Sequence, residues 1–102
     1  MNRVLLSVWF VTLFGIVAAQ AAGDVQAGKT KVAGCVGCHG ANGEGVRPNP
    51  PLAGMNEEQL VQAMKDYKSG KRNNPVMKGM MGALSEQDIA NVAAYYASLQ
   101  KK

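Results

Sequence analysis

Hydrophobic positions change their spacing several times along this chain, and each change predicts a different element. The first apolar stretch is continuous. Val4 to Ala19 carries no charge, follows Arg3, and ends at Ala19-Gln20-Ala21. A basic start, an apolar run slightly short of the roughly 20 residues of a spanning helix, and a small-x-small site form the pattern of a secretory leader. Residues 1–21 are therefore expected to be a cleaved signal peptide, and residues 22–102 the functional domain, delivered to the periplasm.

Beyond the leader the pattern becomes helical. Asp24 is placed to cap a helix with Val25, Gly28 and Val32 along one face. Asn56 opens a second helix. Glu57 and Glu58 sit at the positive end of its dipole, Gln59 stands three residues from the cap, and Met55 with Leu60 is spaced as a hydrophobic staple. Leu60, Val61, Met64 and Tyr67 form its apolar face, with Lys65 and Lys68 directed elsewhere, until Gly70 stops it. Ser85, Asp88, Leu84 and Ile89 repeat this start signal, and Ile89, Val92, Ala93 and Tyr96 follow at i, i+3, i+4 and i+7. The Gly- and Pro-rich stretch 37–54 predicts loop, and 71–83, with three methionines and two glycines, also reads as loop. No alternating β pattern appears. The expected class is all-α, with about three main helices and long loops.

Composition then raises a difficulty for the core. After the leader only Tyr67, Tyr95 and Tyr96 remain as aromatics, in a domain small enough to need a staple or cofactor. Ten basic and seven acidic residues leave it mildly basic, without the dense Lys/Arg clustering of a nucleic-acid binder. No carboxylate pair, nucleophile–base pair or phosphate loop argues for bond-making chemistry on a small-molecule substrate. Lys65, Lys68, Lys71, Arg72 and Lys78 are either an ordinary solvated surface or a docking patch for an acidic partner.

Candidate chemistry is concentrated in Cys35-Val-Gly-Cys38-His39, which holds both cysteines and the only histidine. A disulfide oxidoreductase places Cys-x-x-Cys near a βαβ pattern, which is missing here. A structural zinc site wants four ligands and finds three. Cys-x-x-Cys-His is the attachment pattern of haem c, in which two thioethers tie the macrocycle to one helical turn and the imidazole meets the iron. Such a group would also supply the missing apolar bulk. No second histidine exists, so a further axial ligand would be a thioether. Met55 and Met64 fit the staple and apolar face, leaving Met77, Met80 and Met81.

The chain resembles the short monohaem class I cytochromes c of the proteobacterial periplasm, and one domain of the soluble two-domain respiratory cytochromes c. The resemblance runs through Asp24-x-x-x-Gly28, Cys35 to Gly40, "PNPPLAG" (48–54), "YKSGKRNNPVMKGMM" (67–81) and "LSEQDIANVAAYYASL" (84–99). It implies a class I cytochrome c fold around one haem c bound through Cys35 and Cys38, with His39 and Met77 as axial iron ligands. Met77 is favoured because the ligand of related chains stands seven positions before the leucine that is Leu84 here; Pro75 and Gly79 flank it. The resemblance further implies that the Pro50 carbonyl accepts the Nδ1–H of His39. Asn49 stands where related segments often carry a bulky aromatic. The implied function is single-electron transfer between membrane-bound or periplasmic redox proteins, without catalysis. The rivals are a haem subunit of a periplasmic oxidoreductase and an open-site peroxidase or gas-binding protein.

Overall fold

The computed structural model describes residues 23–100. The expected leader, 1–21, lies outside the described residues. Among these, five α-helices occur in the order α1 (Val25–Lys31), α2 (Val36–His39), α3 (Glu57–Ser69), α4 (Pro75–Gly82) and α5 (Glu86–Ser98), and a 3-10 turn, Val32–Gly34, joins α1 to α2. The only extended pairing among them is an isolated bridge between Val46 and Asn49. No described helix is long and apolar enough to cross a membrane.

The expected caps are in place. Asp24 accepts the Ala27 N–H and Asn56 the Gln59 N–H, while Ser85 and Asp88 form a reciprocal capping box. Gly70 ends α3 in the left-handed conformation, at φ 86°, which a residue with a Cβ adopts only at a cost. Ile89, Val92, Ala93 and Tyr96 are all buried on α5, where Leu60 and Met64 of α3 join them together with Val32 and Met81.

α1 crosses α5 at backbone distance. A Cβ added to Gly28 would stand 2.0 Å from the Asn91 carbonyl oxygen, and one added to Gly23 would stand 1.9 Å from that of Ala90. The crossing is also pinned by the Asp24 N–H donating to Asn91 Oδ1 at 2.8 Å. The predicted α1 face is corrected in one respect: Gly28 and Val32 are buried, whereas Val25 is exposed. The close crossing leaves no room for a side chain at the Gly28 level, and Val25 lies beside the contact.

The second correction concerns 71–83, read from the sequence as loop. It contains the two-turn helix α4. Asn74 caps it by accepting the Met77 N–H, and Pro75 occupies a first-turn position that needs no N–H donor. These start signals outweigh Gly79 and Gly82. Two basic residues beside or within this region also have partners in the chain. Lys68 Nζ donates to the Leu84 carbonyl, and the Arg72 guanidinium lies 5.5 Å from the Tyr67 ring centroid.

The loop after α2 folds back on itself and onto α5. Gly45 N–H donates to the His39 carbonyl at 2.7 Å, and Leu52 and Ala53 N–H groups both reach the Gly43 carbonyl. Gly54 N–H donates to the Tyr96 carbonyl at 2.9 Å. Residues 48–52 are thereby held over the α2 turn.

Candidate functional site

α2 is a single helical turn, closed by the His39 N–H donating to the Cys35 carbonyl at 2.9 Å. Positions i, i+3 and i+4 of a helix share a face, so this turn sets Cys35, Cys38 and His39 side by side. Both cysteines are free; Cys35 is half-buried and Cys38 exposed. His39 is 6% exposed and is the buried polar side chain of the region.

The protonation of His39 follows from its partner. Its Nδ1 lies 2.9 Å from the Pro50 carbonyl oxygen, which can only accept. Nδ1 is therefore the donor of this bond, and Nε2 is the ring nitrogen left available to a metal. This is the bond that the resemblance implied. Asn49 adds a contact that the sequence did not disclose: its Nδ2 donates to the Cys38 carbonyl at 2.9 Å, closing the end of the α2 turn.

Burial pushes the Cys35 thiol up; the adjacent Tyr96 hydroxyl opposes this shift and Cys38 adds to it. The thiol is thus a neutral group at ordinary pH. Burial, with the Cys35 sulfur next, also raises the Tyr96 hydroxyl far above its usual range. Tyr96 Oη is buried beside that sulfur, without the geometry of a full hydrogen bond to any described residue.

A cleft opens above the α2 turn in two adjoining lobes. The outer lobe, of about 330 Å³, is lined by Cys38, Val76 and Met80 among others. The inner lobe, of about 220 Å³, is walled by Leu52, Leu60, Met64, Tyr67, Val92 and Tyr96. Cys35, His39, Asn49, Asn74, Met77 and Met81 line both. The three remaining methionine candidates differ within this cleft. Met77 is half-buried and packs against the core from both lobes. Met80 is 40% exposed, and its Cε lies 3.2 Å from where a Gly34 Cβ would stand. Met81 is 2% exposed and belongs to the core cluster. Asn74 was missed as a site residue, although its Asn-Pro start signal was legible.

These residues suit a large flat apolar group with a metal at its centre. The cleft wall is apolar, two free thiols flank its floor, and the buried imidazole has its proton committed to Pro50. Zinc is less well served: among the described residues, no three His, Cys, Asp or Glu side chains converge as a metal-ion site.

Comparison with known proteins agrees with this geometry. The cytochrome c family profile matches residues 25–100. Cytochrome c4 of Pseudomonas aeruginosa is 48% identical over 99 residues, covering 96% of this chain and 49% of that protein. Cytochrome c-554(548) of Halomonas halodenitrificans is 43% identical over 81 residues, covering 76% of this chain and 98% of that protein. The crystal structure of reduced recombinant cytochrome c4 from Pseudomonas stutzeri superposes with a TM-score of 0.75 at 38% identity, over 79% of this chain and 48% of that one. The chain thus spans about half the length of the cytochrome c4 proteins that it matches. Cys35 and Cys38 fit the family's covalent attachment of haem c, whose iron the family requires. On its profile match, its relatives and its fold, the chain belongs to the cytochrome c family.

Proposed function

We propose that this chain is a monohaem single-electron carrier in which Cys35 and Cys38 hold the haem and His39 and Met77 are the axial ligands of its iron. The carrying observation is the convergence of all four side chains on one cleft, with the His39 Nδ1 proton committed to Pro50. When bound, the haem supplies one-electron exchange. The chain's own residues bind it, orient the imidazole and keep water out. Pro50 fixes the His39 ring and raises its basicity. Leu52, Leu60, Met64 and Val92 exclude water from the inner lobe. With His39 and Met77 both holding it, the iron would have no open position and a raised potential, which suits electron transfer over bond-making.

The working compartment in this reading is the periplasm, reached through the leader at 1–21, and the partners are membrane-bound or periplasmic redox proteins. Contact falls at the mouth of the outer lobe, where Val76 is 68% exposed and Met80 40%. An apolar mouth suits a brief encounter that brings two redox groups close.

The test is spectroscopic. The purified ferric holoprotein should show the red Met–Fe(III) charge-transfer band, and Met77→Ala should abolish it and lower the reduction potential. Met80→Leu and Met81→Leu should keep the band. Loss of the band in Met80→Leu, with retention in Met77→Ala, assigns the ligand to Met80 instead.

A further inference from the structure

The helix that carries Met77 has few means of its own to stay in place. α4 is eight residues long, includes Gly79 and Gly82, and buries Met81 alone. A two-turn helix with two glycines lies well below the length at which helices persist unaided. Its position must come from what ties it down.

Two side chains outside the helix do this, one at each end. At the start, Asn74 Oδ1 accepts the Met77 N–H at 3.1 Å, so the cap bonds to the very residue proposed as ligand. The Asn74 carbonyl also receives the Lys78 N–H at 2.9 Å. At the far end, Lys68 reaches over from α3 and its Nζ donates to the Leu84 carbonyl. Leu84 in turn donates its N–H to the Met81 carbonyl at 3.0 Å, so the α3 ammonium grips the strap that closes α4. Lys68 is half-buried and lines neither lobe of the cleft.

We infer that Asn74 and Lys68 are positioning residues for the Met77 sulfur, holding α4 at its two ends so that the thioether stays on the iron. The inference rests on the Met77 ligation proposed above. Neither residue touches the iron. Each acts by raising the cost of moving α4 away from the cleft. A lost helix cap is equivalent to about a fivefold shift in a local equilibrium, and a lost ammonium–carbonyl bond is of similar size. The site should therefore open several times more often without either one.

Cyanide binding to the ferric holoprotein measures that opening, because cyanide enters only when the sixth ligand has left. Four variants separate tethering from packing. Asn74→Leu keeps the side-chain branching and heavy-atom number and removes the cap, whereas Asn74→Ser keeps a capping oxygen in a smaller side chain. Lys68→Met keeps the apolar stem and removes the donor, whereas Lys68→Arg restores a donor. Asn74→Leu and Lys68→Met should bind cyanide about fivefold faster than the parent. Their red bands should also disappear at lower denaturant concentration than their helical signal. Asn74→Ser and Lys68→Arg should stay near the parent rate.

Parent-like rates in Asn74→Leu and Lys68→Met overturn the inference, as does an Asn74→Ser rate equal to that of Asn74→Leu. Met77→Ala is measured alongside. If it keeps the red band while Met80→Leu loses it, the ligand assignment itself is wrong and the inference falls with it. If it loses the band while the four rates coincide, the ligand stands and only the tethering fails.

Discussion

The α1–α5 crossing and the α4 helix hold their positions by opposite means. At the crossing, two backbones approach so closely that Gly23 and Gly28 admit no side chain against the Ala90 and Asn91 carbonyls. α5 adds Ile89 and Ala93 at 0% exposure and a reciprocal cap. α4 buries one side chain, and a Cβ added at Gly79 or Gly82 would meet nothing within 4 Å. The first region is fixed by packing along its whole length; the second rests on Met77 and Met81 and on a tether at each end. The two differ in purpose as well as in strength. The crossing carries no ligand for the cofactor, while α4 carries the proposed sulfur. A helix that buries one side chain can be adjusted with less disturbance to the frame.

The largest effect should come from removing the cofactor's anchors. Cys35→Ala/Cys38→Ala leaves the cleft without the group that its apolar walls are built to cover. Empty apolar space costs stability in proportion to its volume, and this cleft is large for so small a domain. Circular dichroism should show a partial loss of helix, because α3, α4 and the Val92–Tyr96 face of α5 all line the cleft, while the glycine-level crossing of α1 on α5 lies outside it. Native helix content in the haem-free chain would show that the frame and α4 are equally self-sufficient, contrary to the comparison.

Glycine substitutions test the two regions directly. Gly28→Ala drives a methyl group into a backbone carbonyl, which cannot yield as a side-chain tip can. The helices must separate, at a cost of about 3 kcal/mol or more. Gly79→Ala meets no such obstacle and replaces a poor helix former with the best one, stabilising α4 by about 0.5–1 kcal/mol. Denaturant midpoints should thus move in opposite directions. Gly79→Ala should also slow cyanide entry. A Gly28→Ala protein with the parent midpoint would mean that the crossing is looser than its geometry.

The same contrast explains what the sequence disclosed. Both long helices were legible because their signals are local: Asn56 and Ser85 as caps, Gly70 as a stop, and an apolar face repeating at helical spacing. The Cys35–His39 motif was legible because the covalent attachment of haem c in the family, which Cys35 and Cys38 fit, fixes a spacing within one turn. α4 was not, because its two glycines argue against a helix and its support comes from Lys68, distant in sequence. Val25 was assigned to a buried face because periodicity cannot show that α5 approaches at glycine level. The Asn49 bond to the Cys38 carbonyl was hidden for a related reason: the two residues are 11 apart in sequence and meet only when the loop folds back. Local hydrogen-bond grammar reads from sequence, and long-range tethers do not.

The smallest effect concerns acid. Asp88 sits in the α5 capping box, where the Ser85 backbone N–H, at 3.0 Å, holds its carboxyl below the ordinary value of 3.8. The Ser85 hydroxyl and the Lys31 ammonium, 3.6 Å away, act in the same direction. A carboxylate with a lowered folded pKa binds protons more readily in the unfolded chain. Its contribution to stability is therefore complete above the unfolded pKa and is lost as pH falls through the folded one. Asp88→Asn still caps partly but has no charge to lose. The Tm difference between the parent and Asp88→Asn should be constant near neutrality and shrink as pH drops through the carboxylate range. Because Lys31 lies at the end of α1 and Asp88 at the start of α5, this titration loosens the frame and leaves α4 alone. The cyanide rate should not follow it. A rate that rises in step with the shrinking Tm difference would show that the two regions move as one and that the separation between frame and tether is wrong.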